Sequence, residues 1–534
     1  MTFNTPAVSN ASEPALTTQR REASIIESIL EAAPPGVPVT IELKDLTAEL
    51  IALKQHNGSL RENPLSQLRD REVRLAEGVE TRIRDKVILI TGGAGCVGQA
   101  LVRKILSYRP RRIVIVDRNE SAFLDSSNST LDVRFADVRF RKDLETVFQQ
   151  TRPEIVFHLA AQRLVSRAHT EVSATIGSNV FGSQHIIDLC QAYGCHHCIF
   201  SSTGKATNYY PTQVYAQTKK LAEWQFFKAA SQTGPTYSVV RFTHIVENSW
   251  ILRKIEEGIQ QGFVGLHSPY RSFYVQGVEE ATHLLLNALA LADRGRTRLH
   301  VPKDIGWPID LLELALHRIK ESGKQVGIFF TGIQPGYEEH EFRGTLDWSQ
   351  PARSMPNPML NALESTIEHP GASGLNMVVA NHSLGPSDPL ATMLSRLTQH
   401  LDSKDSTAEH SRDALGEAVR QMTSHIFSQA SPIRLLELMR WGTNPHLLRL
   451  DGIGLSAHRS VFALLVQSLV GRIDGTTILS AGWCWDDWAT FLDELTTIPE
   501  CAVEAHTLKA ISLELQPRSA RIRRFPDTLD LISE

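Results

Sequence analysis

Residues 87–98, Val87-Ile88-Leu89-Ile90-Thr91-Gly92-Gly93-Ala94-Gly95-Cys96-Val97-Gly98, constrain this chain more than any other stretch. An apolar run breaks into glycines and reopens at Gln99-Ala100-Leu101-Val102, which reads as a buried strand, a tight turn and a helix. Gly92 permits the turn, Gly95 lets backbone approach a pyrophosphate, and Gly98 lets the helix pack closely on the strand. Cys96 and Val97 open the helix, whose first amides face the anion. Glycine spacing alone also fits an ordinary turn, so the reading depends on the residues C-terminal to it.

Those residues come in the right order. Arg112-Ile113-Val114-Ile115-Val116-Asp117 predicts a second strand ending in an acid about twenty residues past the loop. Asp117 is placed to accept hydrogen bonds from the ribose hydroxyls of NAD, while the adjacent Arg118 leaves NADP open through its 2′-phosphate. Asp137 and Val138 come after the next short strand and fit the adenine edge. Ile155-Val156-Phe157-His158 leads into Leu159, Ala160 and Ala161, small enough for backbone to pass beside a nicotinamide ribose. Asn179, on a helix behind the site, is counted with these cofactor-side residues. Ile199-Phe200-Ser201-Ser202-Thr203 brings hydroxyls to the same edge. Tyr215 and Lys219 are four apart on a helix, so the ammonium can lower the phenol's pKa and bond the nicotinamide ribose. A phenolate so tuned can take a proton from a sugar hydroxyl while hydride leaves to NAD.

Residues 84–345 resemble an extended short-chain dehydrogenase/reductase, and within it the CapD-type polysaccharide-biosynthesis proteins related to UDP-N-acetylglucosamine 4,6-dehydratases. The resemblance rests on Thr91-Gly92-Gly93-Ala94-Gly95, Arg152 to Ala161, Ser202-Thr203-Gly204-Lys205-Ala206, the lead-in Gln67 to Val73, and the late signature Phe330 to Gly336. It implies a sugar nucleotide or nucleoside oxidised transiently to a ketone, then dehydrated. Tyr215 would be the base, Thr203 would bond the reacting oxygen, Lys219 would orient ribose and tyrosine, and Lys205 would remove the proton beside the ketone. The chain departs from the pattern where Gly204 replaces the dehydratases' aspartate, the leaving-group acid. Extra residues within 207–211, Arg163 in place of a lysine and Gln334 in place of an arginine also imply an altered substrate. Arg163, Arg241, His244 and Arg271 are the expected substrate contacts. Epimerisation or net oxidation is the alternative reaction, and a non-catalytic NAD-binding scaffold the alternative class.

The expected fold class is α/β: a Rossmann doubly wound parallel sheet with a small substrate-binding region, N-terminal helices and a mostly helical C-terminal extension. The boundaries are 1–83, 84–348 and 349–534, with a disordered tail over 1–20. In 534 residues, 42% hydrophobic and 21% charged, a net charge of −4 gives no reason to expect nucleic acid or an anionic membrane as partner. No apolar run is long enough to span a bilayer and no signal-peptide core begins the chain, so a cytoplasmic location is expected; the expected assembly is a homo-oligomer. Six cysteines make no disulfide framework, and Cys195-His196-His197-Cys198 lacks a second ligand pair, so no metal is expected. Trp483, Trp485 and Trp488 read as core, and the run Arg518, Arg521, Arg523 and Arg524 as a solvated or subunit face.

Overall fold

β1 (Val87–Thr91) is buried along its whole length, as an inner strand of a parallel sheet must be when both faces are covered. In the computed structural model the described residues are 13–34, 40–60, 62–118, 128–334, 336–337, 341–349, 356–382, 389–401, 407–443 and 454–515. Pro35 to Pro38, Pro335, Asp402 to Ser406 and the arginine run at 518–524 lie outside them. Around β1 the sheet contains β2 (Arg112–Asp117), β3 (Leu131–Phe135), β4 (Ile155–His158), β5 (His197–Thr203), β6 (Thr236–Phe242), β7 (Arg298–Pro302), β8 (Ser365–Ile367) and β9 (Met377–Asn381). Their spatial order is β8-β9-β7-β6-β5-β4-β1-β2-β3. β1 pairs in parallel with β2 on one side and β4 on the other, so the strand order reverses there. The crevice at the carboxyl ends of such strands is where this architecture binds ligands.

The chain forms two compact units. The first comprises residues 1–205, 212–339 and 366–380 and holds the sheet. The second comprises 206–211, 340–365 and 381–534. In the first unit α1 (Glu13–Ala32) begins inside the stretch expected as a tail, where Glu13, Ala15, Leu16 and Gln19 are good helix formers. α2 (Glu42–His56) docks on the strand Gly327–Phe330, with Thr47 Oγ1 accepting the Ile328 N–H at 2.8 Å. The lead-in segment is also fastened here. Arg71 is buried and donates to the Val275 carbonyl at 2.6 Å and to Glu280 at 3.0 Å.

One difference from expectation concerns the second half. Residues 375–380, embedded in glycine, proline and serine, enter β9, which pairs antiparallel with β7 and extends the sheet. The second unit is mostly helical, with Trp483 and Trp488 buried at 5.3 Å from each other and their indole N–H groups donating to Leu436 O and Ser512 Oγ. Its core also takes in Tyr209, packed edge-on against Phe427 at 5.1 Å. Among the described residues, no helix is long and apolar enough to cross a membrane.

Candidate active site

The turn after β1 leads into α3 (Cys96–Leu106), with Gly95 extended at its N-cap. Gly92 has φ +70°, and a Cβ there would lie 2.7 Å from Ala160 N, so both its conformation and its neighbour require glycine. A Cβ on Gly98 would lie 2.5 Å from Gly92 O and 2.6 Å from Gly93 Cα. Gly98 therefore lets the helix close onto the turn itself, a tighter demand than packing on the strand. Asp117 Oδ2 accepts the Ala94 N–H at 3.2 Å, tying the acid at the end of β2 to the same turn. Exposed backbone at a helix N-terminus, a cradle without side chains and an acid at the next strand end fit a dinucleotide. Gly98→Ala is expected to cost about 1–3 kcal/mol through overpacking. The measurement is the urea midpoint, and an unchanged midpoint would show that the turn yields freely.

On the far side of the turn, Asp137 accepts from Arg139 Nη2 at 2.6 Å and from the Arg139 N–H at 2.9 Å. Burial raises its pKa, but the Arg139 bonds outweigh that and hold the carboxyl below its ordinary range. Val138 O is bonded by His185 at 3.0 Å, and a Cβ on Gly182 would strike Val138 Cγ2. Arg118, directly after β2, is exposed.

Thr203 ends β5 and Tyr215 lies in the first turn of α4 (Val214–Lys228). Burial raises the pKa of the Tyr215 phenol, while a hydrogen bond from Thr203 and the positive charge of Arg163 pull it down. Thr203 Oγ1 also accepts the Lys205 N–H at 3.3 Å, which fixes the short 3-10 turn Gly204–Thr207. Lys219 lies buried with its ammonium 4.1 Å from the centre of the Phe200 ring. Burial lowers its pKa to about 7, with Glu223 opposing, so it is divided between ammonium and amine at neutral pH. Thr203 and Arg163, both outside the helix that bears Tyr215, act to lower the phenol's pKa.

A family model described as polysaccharide biosynthesis protein matches residues 88–352. Over 271 residues the chain is 31% identical to the uncharacterized membrane protein MJ1061 of Methanocaldococcus jannaschii, an overlap of 48% of this chain and 80% of that protein. The chain belongs to the polysaccharide biosynthesis protein family. It is 28% identical over 281 residues to the probable polysaccharide biosynthesis protein EpsC of Bacillus subtilis, covering 49% of this chain and 46% of EpsC. It is 31% identical over 169 residues to a UDP-N-acetylglucosamine 4,6-dehydratase (inverting) of Campylobacter jejuni, covering 30% of this chain and 49% of the dehydratase. The chain spans about half the length of these last two relatives.

The arginines and the histidine expected at the substrate have different fates in this family member. Arg163 is exposed, and its positive charge acts on Tyr215, His244 and Cys96 alike. His244 is kept neutral, its pKa lowered to about 4 by burial and by Lys205 and Arg163, and its Nε2 lies 2.7 Å from Ser249 Oγ. Arg271 is partly buried and its carbonyl accepts the Leu311 N–H at 2.8 Å. Arg241, expected at the substrate, is instead fully buried in β6 and forms two bonds of 2.8 and 2.7 Å to Glu223 of α4. A guanidinium locked in that pair is a strut between sheet and helix, not a substrate contact.

Asn179 sits in a π-helical turn, Gly177–Phe181, a distortion frequent at functional sites. Its amide bonds Gln162 N at 2.8 Å, Gln162 O at 3.1 Å and Thr218 Oγ1 at 3.0 Å, so it holds the loop after β4 from behind. Of the Cys195-His196-His197-Cys198 cluster, both thiols are buried, while His196 lies 3.9 Å from Glu154 and His197 3.5 Å from Arg82.

Proposed function

We propose that this protein binds NAD and acts on the sugar of a nucleotide sugar or nucleoside through a transient ketone, with loss of water as the net reaction. The observation that carries the reading is the hydrogen-bonded pair Thr203–Tyr215 at the carboxyl edge of the sheet, with Lys219 buried one turn further along the same helix. Gly92, Gly95, Cys96, Val97 and Gly98 would hold the pyrophosphate, Asp117 the adenosine ribose, and Asp137 and Val138 the adenine edge. When bound, NAD supplies the acceptor for the hydride of the sugar carbon.

The chain's own groups handle the protons. Tyr215, once deprotonated, takes the proton of the reacting hydroxyl, and Thr203 donates to the same oxygen. Lys205 removes the acidified proton beside the ketone, the neighbouring hydroxyl leaves with a proton as water, and return of the hydride and a proton to the sugar makes the net change the loss of one water. Arg163, His244 and Arg271 meet the polar remainder of the substrate. The partial match to a UDP-N-acetylglucosamine 4,6-dehydratase supports elimination. Gly204, a buried residue with no side chain where the resemblance calls for an acid, favours epimerisation as the second reading.

The test is mass spectrometry of the full chain with NAD, UDP-, GDP-, dTDP- and ADP-sugars and free nucleosides in deuterated solvent. A product lighter by one water is the expected result. An isobaric, deuterated product would replace dehydration by epimerisation, and no change in any ligand would overturn both. Lys205→Ala is expected to spare ketone formation and stop the later step.

A further inference from the structure

One buried titratable group takes no part in that chemistry. His158 ends β4, fully buried, its ring stacked on Phe200 at 5.7 Å. Its Nδ1 lies 2.7 Å from Thr91 Oγ1 and its Nε2 3.1 Å from Ser183 Oγ. The proton positions are dictated by the neighbours. The Ser183 hydroxyl lies 2.7 Å from the Asn179 carbonyl, which can only accept, so its single proton goes there. Nε2 must then carry the proton it shares with Ser183, leaving Nδ1 to accept from the Thr91 hydroxyl. The Thr91 oxygen in turn accepts the Ala160 N–H at 3.3 Å. Burial, with the Lys219 charge adding to it, lowers the imidazole pKa to about 3, so no second proton disturbs this order.

The network continues past Ser183. Asn179 holds both the N–H and the carbonyl of Gln162 and donates to Thr218, whose hydroxyl donates to Tyr215 O at 2.9 Å. A continuous set of bonds therefore runs from the last residue of the glycine-turn strand to the first turn of the helix bearing Tyr215. Ala160 and Gln162 both hang from it.

We infer that His158, as its Nε2–H tautomer, is a positioning residue that locks the 159–162 backbone between the glycine turn and Asn179, so that a dinucleotide meets a loop already in place. The cofactor clause rests on the proposed function; the lock does not. A preformed loop leaves less ordering to be done on binding, and a fully satisfied buried network is rigid.

The experiment uses the full chain with His158→Phe, which keeps the stacked ring but can neither donate nor accept, and Thr91→Val, which removes the bridging hydroxyl at constant shape. Exchange of the Ala160 and Gln162 amides is measured without ligand, and NAD affinity by calorimetry. Each variant is expected to speed Ala160 exchange and weaken NAD binding by about tenfold, and the double variant to be no worse than either single one. The imidazole ¹⁵N spectrum is expected to keep the proton on Nε2 from about pH 8 to pH 5. Unchanged Ala160 exchange in Thr91→Val, a proton on Nδ1, or lost thermal stability with unchanged NAD affinity would overturn the inference. If the unaltered protein fails to bind NAD, the dinucleotide reading and the cofactor clause fall together. Exchange and tautomer then still decide the lock.

Discussion

Tyr215→Phe is expected to reduce turnover by about 10²–10⁴-fold while leaving NAD affinity within a small factor of its starting value. The substitution removes one oxygen, the one bonded to Thr203, and leaves the ring packing on α4 intact. A pH profile sharpens this. Burial sets the phenol's pKa above its ordinary value, and a base works only when deprotonated, so kcat/KM should climb toward alkaline pH. Arg163 opposes the burial effect with its positive charge, so Arg163→Gln should move the rising limb to still higher pH. Unaltered turnover in Tyr215→Phe would remove the tyrosine from the mechanism. An unmoved limb in Arg163→Gln would remove the arginine from its tuning.

Glu223→Ala should produce the largest loss of stability, about 3–5 kcal/mol, read as a lower denaturation midpoint. Glu223 and Arg241 have fully buried side chains and share two bonds, so truncating the acid removes both of those bonds and one negative charge from beside a buried guanidinium. Changing both at once, Glu223→Leu with Arg241→Met, should recover most of the loss, because an apolar pair needs no desolvated charges. A loss under about 1 kcal/mol in the single variant would mean that Arg241 finds compensation elsewhere.

The same pair marks the limit of what the sequence discloses. Arg241 closes an apolar run and stands where a strand end could meet substrate; its acid lies on a helix whose residues are buried almost all round, polar ones included. With no exposed face to set a period, nothing in the pattern points to Glu223. The glycine turn is legible for the opposite reason, since what matters there is the absence of side chains, and that is written in the residue names. Tyr215 and Lys219 are intermediate. Their spacing assigns a common face, yet the Phe200 ring under the ammonium and the charge of Arg163 come from other parts of the chain. β9 escapes notice because its few apolar residues join the sheet by pairing with β7, far off in sequence. His158 carries a visible signal, a histidine ending an otherwise apolar strand, but its partners Thr91 and Ser183 do not stand out from other hydroxyl residues.

The interleaving of the two units bears on how the chain becomes this structure. Each unit is assembled from three separate segments, and 206–211, directly after Lys205, belongs to the second. The Tyr209 carbonyl accepts from Thr423 Oγ1, which lies 214 positions further along the chain. During synthesis this aromatic hexapeptide leaves the ribosome long before the helices that enclose it, so neither unit can be finished while the C-terminal half is still missing. Such non-local closure slows folding and lengthens the exposure of Tyr209 and Tyr210 to other nascent chains. The stretch next to the candidate proton-abstracting lysine is thereby among the last parts of the molecule to take its final form, and a nascent chain cut short before Thr423 would carry that lysine with its neighbours still unanchored.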